Sequence, residues 1–155
     1  MIQRVQSLYL LLTTLLSGLF LNGNFLKFIN TEGSGIIVNF TGIYKVTGDK
    51  GFDLIEKLLP LSVLFILIPV ISVLAILLYK NRKLQLIITL ILIIISILII
   101  AVSFFYGISL INSYHVSFVP GIKVFVPFLI LVLAILAYRG IKKDEALVKS
   151  NDRLR

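Results

Sequence analysis

The side chains of this sequence that are equipped for chemistry gather at its two ends. Gln3, Arg4 and Gln6 stand near the start, and Asp144, Glu145, Asp152, Arg153 and Arg155 fall in the closing run RGIKKDEALVKSNDRLR. Guanidinium and carboxylate groups mixed in this way form charge-assisted, often bidentate hydrogen bonds, which suits docking better than bond breaking. The rest of the reactive inventory is thin. With no Cys, disulfides, thiol nucleophiles, iron–sulfur ligation and acylation on Cys are excluded for this sequence. His115 is the only histidine, and one imidazole does not supply the three or four ligands of a usual metal site. No Ser-His-Asp set, no paired intramembrane acids and no Gly-rich phosphate loop after a strand can be found. No metal, no cofactor and no enzymatic activity are therefore expected.

The elements that must position those ends are apolar. Four stretches carry no charged residue: Val5 to Leu26, Leu58 to Tyr79, Leu84 to Ile122 and Val124 to Tyr138. About 20 apolar residues cross the hydrocarbon as a helix, and the 14% charged content falls well below the roughly 25% of globular proteins. The expected fold is an all-α membrane protein, a single domain 1–155 built as a four-transmembrane-helix bundle. Its helices are expected at about 5–22, 57–79, 84–111 and 117–139. Strands of a membrane barrel would alternate apolar with polar, and Leu86 to Ile100 does not alternate. In lipid a helix satisfies every backbone group within its own segment, which overrides the β propensity of the Ile-rich run. The first apolar run lacks the small-x-small pattern of a cleavage site and reads as an uncleaved anchor.

Charge sets the orientation. Of the 15 Lys and Arg residues, ten fall on one side of the spans (Arg4, Lys80, Arg82, Lys83, Arg139 and the tail), so both termini are expected in the cytoplasm and the first loop in the periplasm. The net charge of +8 follows the spans and points to anionic headgroups, with no nucleic-acid partner. In the long loop 23–56, Ile36, Val38, Phe40, Tyr44 and Val46 share one face at period two, and Phe25 to Ile29 could pair with them across Asn30 to Gly35. A small β-hairpin cap of two or three strands is expected there. Asn39-Phe40-Thr41 fits the glycosylation pattern, a match too short to carry weight.

Small residues mark helix faces: Ser7, Thr14 and Gly18 on the first, Thr89, Ser96, Ser103 and Gly107 on the third. Such stripes let helix backbones approach in lipid. Their shared spacing, together with VLAIL at both Val73–Leu77 and Val132–Leu136, suggests a duplicated two-helix unit. Pro69 and Pro127 are expected to kink the second and fourth helices. No ionisable residue falls at mid-membrane, where pumps and transporters keep one. The tail 140–155 reads as an amphipathic helix lying on the lipid surface.

The opening MIQRVQSLYLLL and the closing RGIKKDEALVKSNDRLR resemble the domain-of-unknown-function 4293 family, small integral membrane proteins of Bacteroidota. The resemblance implies a Gram-negative cytoplasmic (inner) membrane and no assigned activity. The two stretches that carry it lie on one side of the membrane by the charge argument. The expected function is then a non-enzymatic accessory or scaffold protein, whose cytoplasmic face (Gln3, Arg4, Gln6, Asp144, Glu145, Asp152, Arg153 and Arg155) binds a protein partner or anionic lipid. The alternative is a small homo-oligomeric transporter or channel, with Thr14, Ser96 and Ser103 lining a path between subunits.

Overall fold

The apolar runs do close their backbone hydrogen bonds as helices. The computed structural model describes residues 3–21, 23–29, 35–47 and 51–152, without the side chains of 3, 4, 47 and 149–152. Among them are four α-helices: α1 (Gln3–Leu21), α2 (Leu59–Leu77), α3 (Arg82–Tyr114) and α4 (Val126–Asp152). Three helical segments, Leu59–Leu77, Arg82–Tyr114 and Ile122–Val148, are long and apolar enough to cross a membrane, and Val5–Leu21 is a shorter apolar helix. The helices pack as a ring in chain order, α1 against α2 and α4, and α3 against the same two. Leu10, Leu61, Ile68, Leu92, Ile99 and Ile130 fill its interior, whereas Leu8, Leu15, Leu19, Ile87 and Leu129 point outward and are exposed. Apolar side chains around the whole circumference suit a hydrocarbon solvent.

Helix boundaries follow local chemistry. Pro60 sits in the first turn of α2, where no intrahelical N–H is needed. The Asn81 side chain accepts from the Leu84 N–H and caps α3. His115 ends α3 in the left-handed conformation, with φ of 47°. Its position is thus a helix terminus. Pro69 does lie inside α2. Pro127, expected to kink the fourth helix, instead occupies its first turn, because that helix begins at Val126 rather than near 117.

The residues before α4 make a third-loop strand and a turn of 3₁₀ helix, Ile122–Phe125. At the other end, α4 does not stop at 139 but runs unbroken to Asp152, so 140–148 is no separate surface helix. Ile141 is fully buried and Asp144 nearly so, and that burial against α1 holds the continuation in line with the bundle.

The cap is larger than the expected hairpin. Strands β1 (Leu26–Ile29), β2 (Gly35–Val38), β3 (Gly42–Thr47), β4 (Gly51–Lys57) and β5 (Ser117–Val119) form one five-stranded sheet in the order β4-β3-β2-β1-β5. Every pairing is antiparallel. The stretch 35–47, expected as one strand, folds back at Asn39–Thr41, where the Asn39 N–H donates to the Gly42 carbonyl. Only Gly fits at 42, since a Cβ there would stand 2.6 Å from the Glu56 carbonyl oxygen, next to the register irregularity at Ile43 and Tyr44. Leu26, Phe28, Ile36, Val38 and Ile43 turn their side chains onto the helix ends. There Phe25 meets Phe20 edge-on at 4.9 Å and Phe65 at 5.7 Å between ring centroids, and the Ser62 hydroxyl donates to the Phe40 carbonyl.

Candidate functional site: a polar cleft at the charged end

At the end of the ring opposite the sheet, the tight turn Leu78–Asn81 joins α2 to α3 and lies beside α4. Arg82, in the first turn of α3, donates from Nη1 to the main-chain oxygen of Asp144 at 3.0 Å. One turn further along, Gln85 is 4% exposed and donates from Nε2 to the Ala75 carbonyl of α2 at 3.0 Å. Gln85 in turn offers its own carbonyl to the Thr89 hydroxyl at 2.7 Å. A line of buried polar groups thus runs along the inner face of α3.

Gln6 of α1 enters the same place. It is 5% exposed, yet its Nε2 has no hydrogen-bond partner among the described residues. It lies tightly against α4, for a Cβ on Gly140 would come within 2.7 Å of Gln6 Cγ. A cleft of about 450 Å³ opens here, lined by Gln6, Arg82, Gln85 and Asp144 on its polar side and by Leu8, Leu11 and Ile76 on its apolar side, with Ser7 and Tyr79 at its edge. A donor amide, a guanidinium and a carboxylate converge within one small volume contributed by all four helices. The arrangement suits recognition of a small group carrying charges of both signs, with apolar side chains lining the rest of the cleft.

Of the residues singled out in the sequence, Gln6 and Asp144 meet in this cleft. Glu145, next along α4, is half-buried. The side chains of Gln3, Arg4 and Asp152, and the whole of Arg153 and Arg155, lie outside the described residues. Sequence reading missed Arg82, Gln85 and Gly140. Gln85 was detectable: it precedes Thr89 by four residues and so begins the polar face that continues through Ser96 and Ser103.

The small-residue stripes divide. Thr14 and Ser72 join α1 to α2 at 3.0 Å, and Ser72 donates to the Leu10 carbonyl at 2.7 Å. Thr89 and Ser96 are buried and bond back to the carbonyls four residues earlier. Ser103 is buried, and its hydroxyl has no partner among the described residues. Ser7 lies at the edge of the polar cleft. The two glycines do not make the close approaches expected of them, since a Cβ on Gly18 or Gly107 would meet nothing within 4 Å. The close approach falls at Gly140 instead, where α4 packs against the Gln6 side chain of α1. Under the sheet, Gly107 borders an apolar groove of about 230 Å³ with Phe28, Ser103, Phe104 and Phe118. Among the described residues there is no group of three or more His, Cys, Asp or Glu placed to hold a metal.

Three long apolar helices and an apolar exterior are the marks of a multi-pass membrane protein. Residues 2–154, essentially the whole chain, match the family model described as a domain of unknown function (DUF4293). The chain belongs to that family. No curated protein and no solved structure matches it.

Proposed function

We propose that this is a non-enzymatic accessory or scaffold protein of the cytoplasmic membrane, crossing it four times with both termini inside and binding at its cytoplasmic face. The single observation that carries the reading is the convergence of Gln6, Arg82, Gln85 and Asp144 in one cleft. The buried Gln6 Nε2 has no partner among the described residues, which works against stability by about 1–3 kcal/mol and favours a binding role for it. The four-span reading is supported by the ring packing of α1 with α2 and α4, which lays the shorter apolar helix alongside two helices long enough to cross a membrane. The inward orientation is supported by the positive side chains Lys80, Arg82, Lys83, Arg139, Lys142 and Lys143, all on the elements that border the cleft end.

Two measurements test it. In a protein with no native Cys, a Thr47→Cys probe should be labelled from outside in intact spheroplasts and a Ser150→Cys probe only after permeabilisation. Native co-purification with mass spectrometry should then recover a stoichiometric partner. A pure homo-oligomer that conducts solute across liposomes would favour the transporter alternative.

A further inference from the structure

The cleft carries information about its occupant beyond the fact of binding. Its polar side holds one guanidinium and one carboxylate, Arg82 and Asp144, so its own charges balance and it is poorly matched to a simple anion. Asp144 is 5% exposed and Gln6 likewise, which places both groups at the floor. Gln6 Nε2 has no acceptor among the described residues, so an occupant must bring one. The Arg82 Nη1 bond to the Asp144 main chain uses only part of a guanidinium that has five N–H donors. The apolar side is continuous with the lipid-facing flank of α1, where Leu8 and Leu11 are 54% and 50% exposed. The volume, about 450 Å³, lies in the range of small-molecule sites and is too small for a folded domain.

We propose that the cleft binds the headgroup of a zwitterionic aminophospholipid of the phosphatidylethanolamine type. Its phosphate oxygens accept from Gln6 Nε2 and the Arg82 guanidinium. Its primary ammonium donates to the Asp144 carboxylate, and its first acyl carbons lie along Leu8, Leu11 and Ile76. The turn Leu78–Asn81, with Tyr79 exposed beside the cleft, sets the site at headgroup height, since Tyr side chains favour the interface. The assignment rests on the membrane placement proposed above but not on any protein partner. A choline headgroup has no N–H to donate to Asp144, and a glycerol headgroup has no cation, so the three lipids separate the contributions.

The test is native mass spectrometry of the detergent-solubilised full chain, offered equal amounts of phosphatidylethanolamine, phosphatidylcholine and phosphatidylglycerol. Phosphatidylethanolamine should be retained roughly tenfold over either rival, about what one charge-assisted hydrogen bond contributes. Asp144→Asn should abolish that preference, and Gln6→Leu should lower retention of all three. Because Asp144→Asn could disturb folding, the melting temperature of each variant is read alongside, and Gln6→Leu decides alone if Asp144→Asn fails to give a monodisperse protein. Equal retention of the three lipids by the wild type, unchanged selectivity in a well-folded Asp144→Asn, or unchanged retention in Gln6→Leu overturns the proposal. So does displacement of the lipid by free phosphoethanolamine at equal concentration, which would make the ligand a soluble metabolite. Failure to co-purify a protein partner leaves these readouts untouched, and the cysteine probes report membrane placement separately.

Discussion

The two ends of this bundle are closed by opposite means. Under the sheet, Phe20, Phe25 and Phe65 pack ring against ring and Phe28 meets Phe118 at 5.5 Å, with β-ladder hydrogen bonds satisfying the backbone above them. At the charged end, polar side chains are buried instead: Gln6, Gln85, Thr89 and Asp144. The first is chiefly apolar, although Ser103 Oγ and Asn39 Oδ1 are also buried there without a partner among the described residues. The second is stable only to the extent that partners are found, and Gln6 Nε2 has found none among the described residues. Aromatic packing and buried amide and carboxylate groups are thus separated along the bundle axis.

That contrast predicts the largest effect at the sheet end. Phe25→Ala removes a ring that is 5% exposed and touches two others. It should destabilise the protein by about 3–5 kcal/mol, as large-to-small core changes of Phe do. A thermal melt in detergent should show it, together with faster proteolysis within 51–57, where β4 is exposed on both faces. A loss smaller than that of any substitution at the charged end would mean that the sheet is an appendage and not a closure.

The next effect sharpens the comparison with one residue type. In Gly140→Ala the new Cβ stands 2.7 Å from Gln6 Cγ, so α1 and α4 must part or Gln6 must leave its rotamer, at about 1–3 kcal/mol. Gly107→Ala faces open space and should be neutral or stabilising by up to about 1 kcal/mol through helix propensity. Equal melting temperatures for the two variants would remove the tight contact from the charged end.

The sequence carried the helices because hydrocarbon admits few alternatives: Leu84 to Val102, almost wholly Leu and Ile, has no other way to satisfy its backbone than α3. It also carried β1 and the β2–β3 stretch in outline, through Gly, Asn and alternating apolar residues, but not the fold-back between β2 and β3. It could not show β5. Three residues, Ser117–Val119, become a strand only because β1 offers an unpaired edge, a long-range contact with no local signature. Nor could it end α4 correctly, since Ile141 and Asp144 stay helical through packing on α1 and not through composition. Of the polar residues marked at the two ends, Gln6 and Asp144 come together in the lining of one cleft. Arg82 was instead read as part of the topology signal, a role that any cation in that turn would fill. Gly140 merely opened the expected surface tail, and only the structure shows Gln6 close against it.

The smallest expected change in stability is the most informative about function. Gln6→Leu replaces a buried amide by an apolar side chain of similar size. An amide without a partner lowers stability by about 1–3 kcal/mol relative to one that is satisfied, and exchanging unpaired polar groups for apolar ones of matching shape is commonly neutral or stabilising. The apolar neighbours Leu8, Leu11 and Ile76 already offer the leucine a suitable surface. The melting temperature should therefore hold or rise slightly, even as phospholipid retention falls. A drop as large as that of Gly140→Ala would mean that the amide is held by a bond essential to the fold, and Gln6 would then belong with Gln85 as a structural tie. Unchanged stability with lost binding is the signature of a side chain kept at the floor of the cleft for something outside the chain.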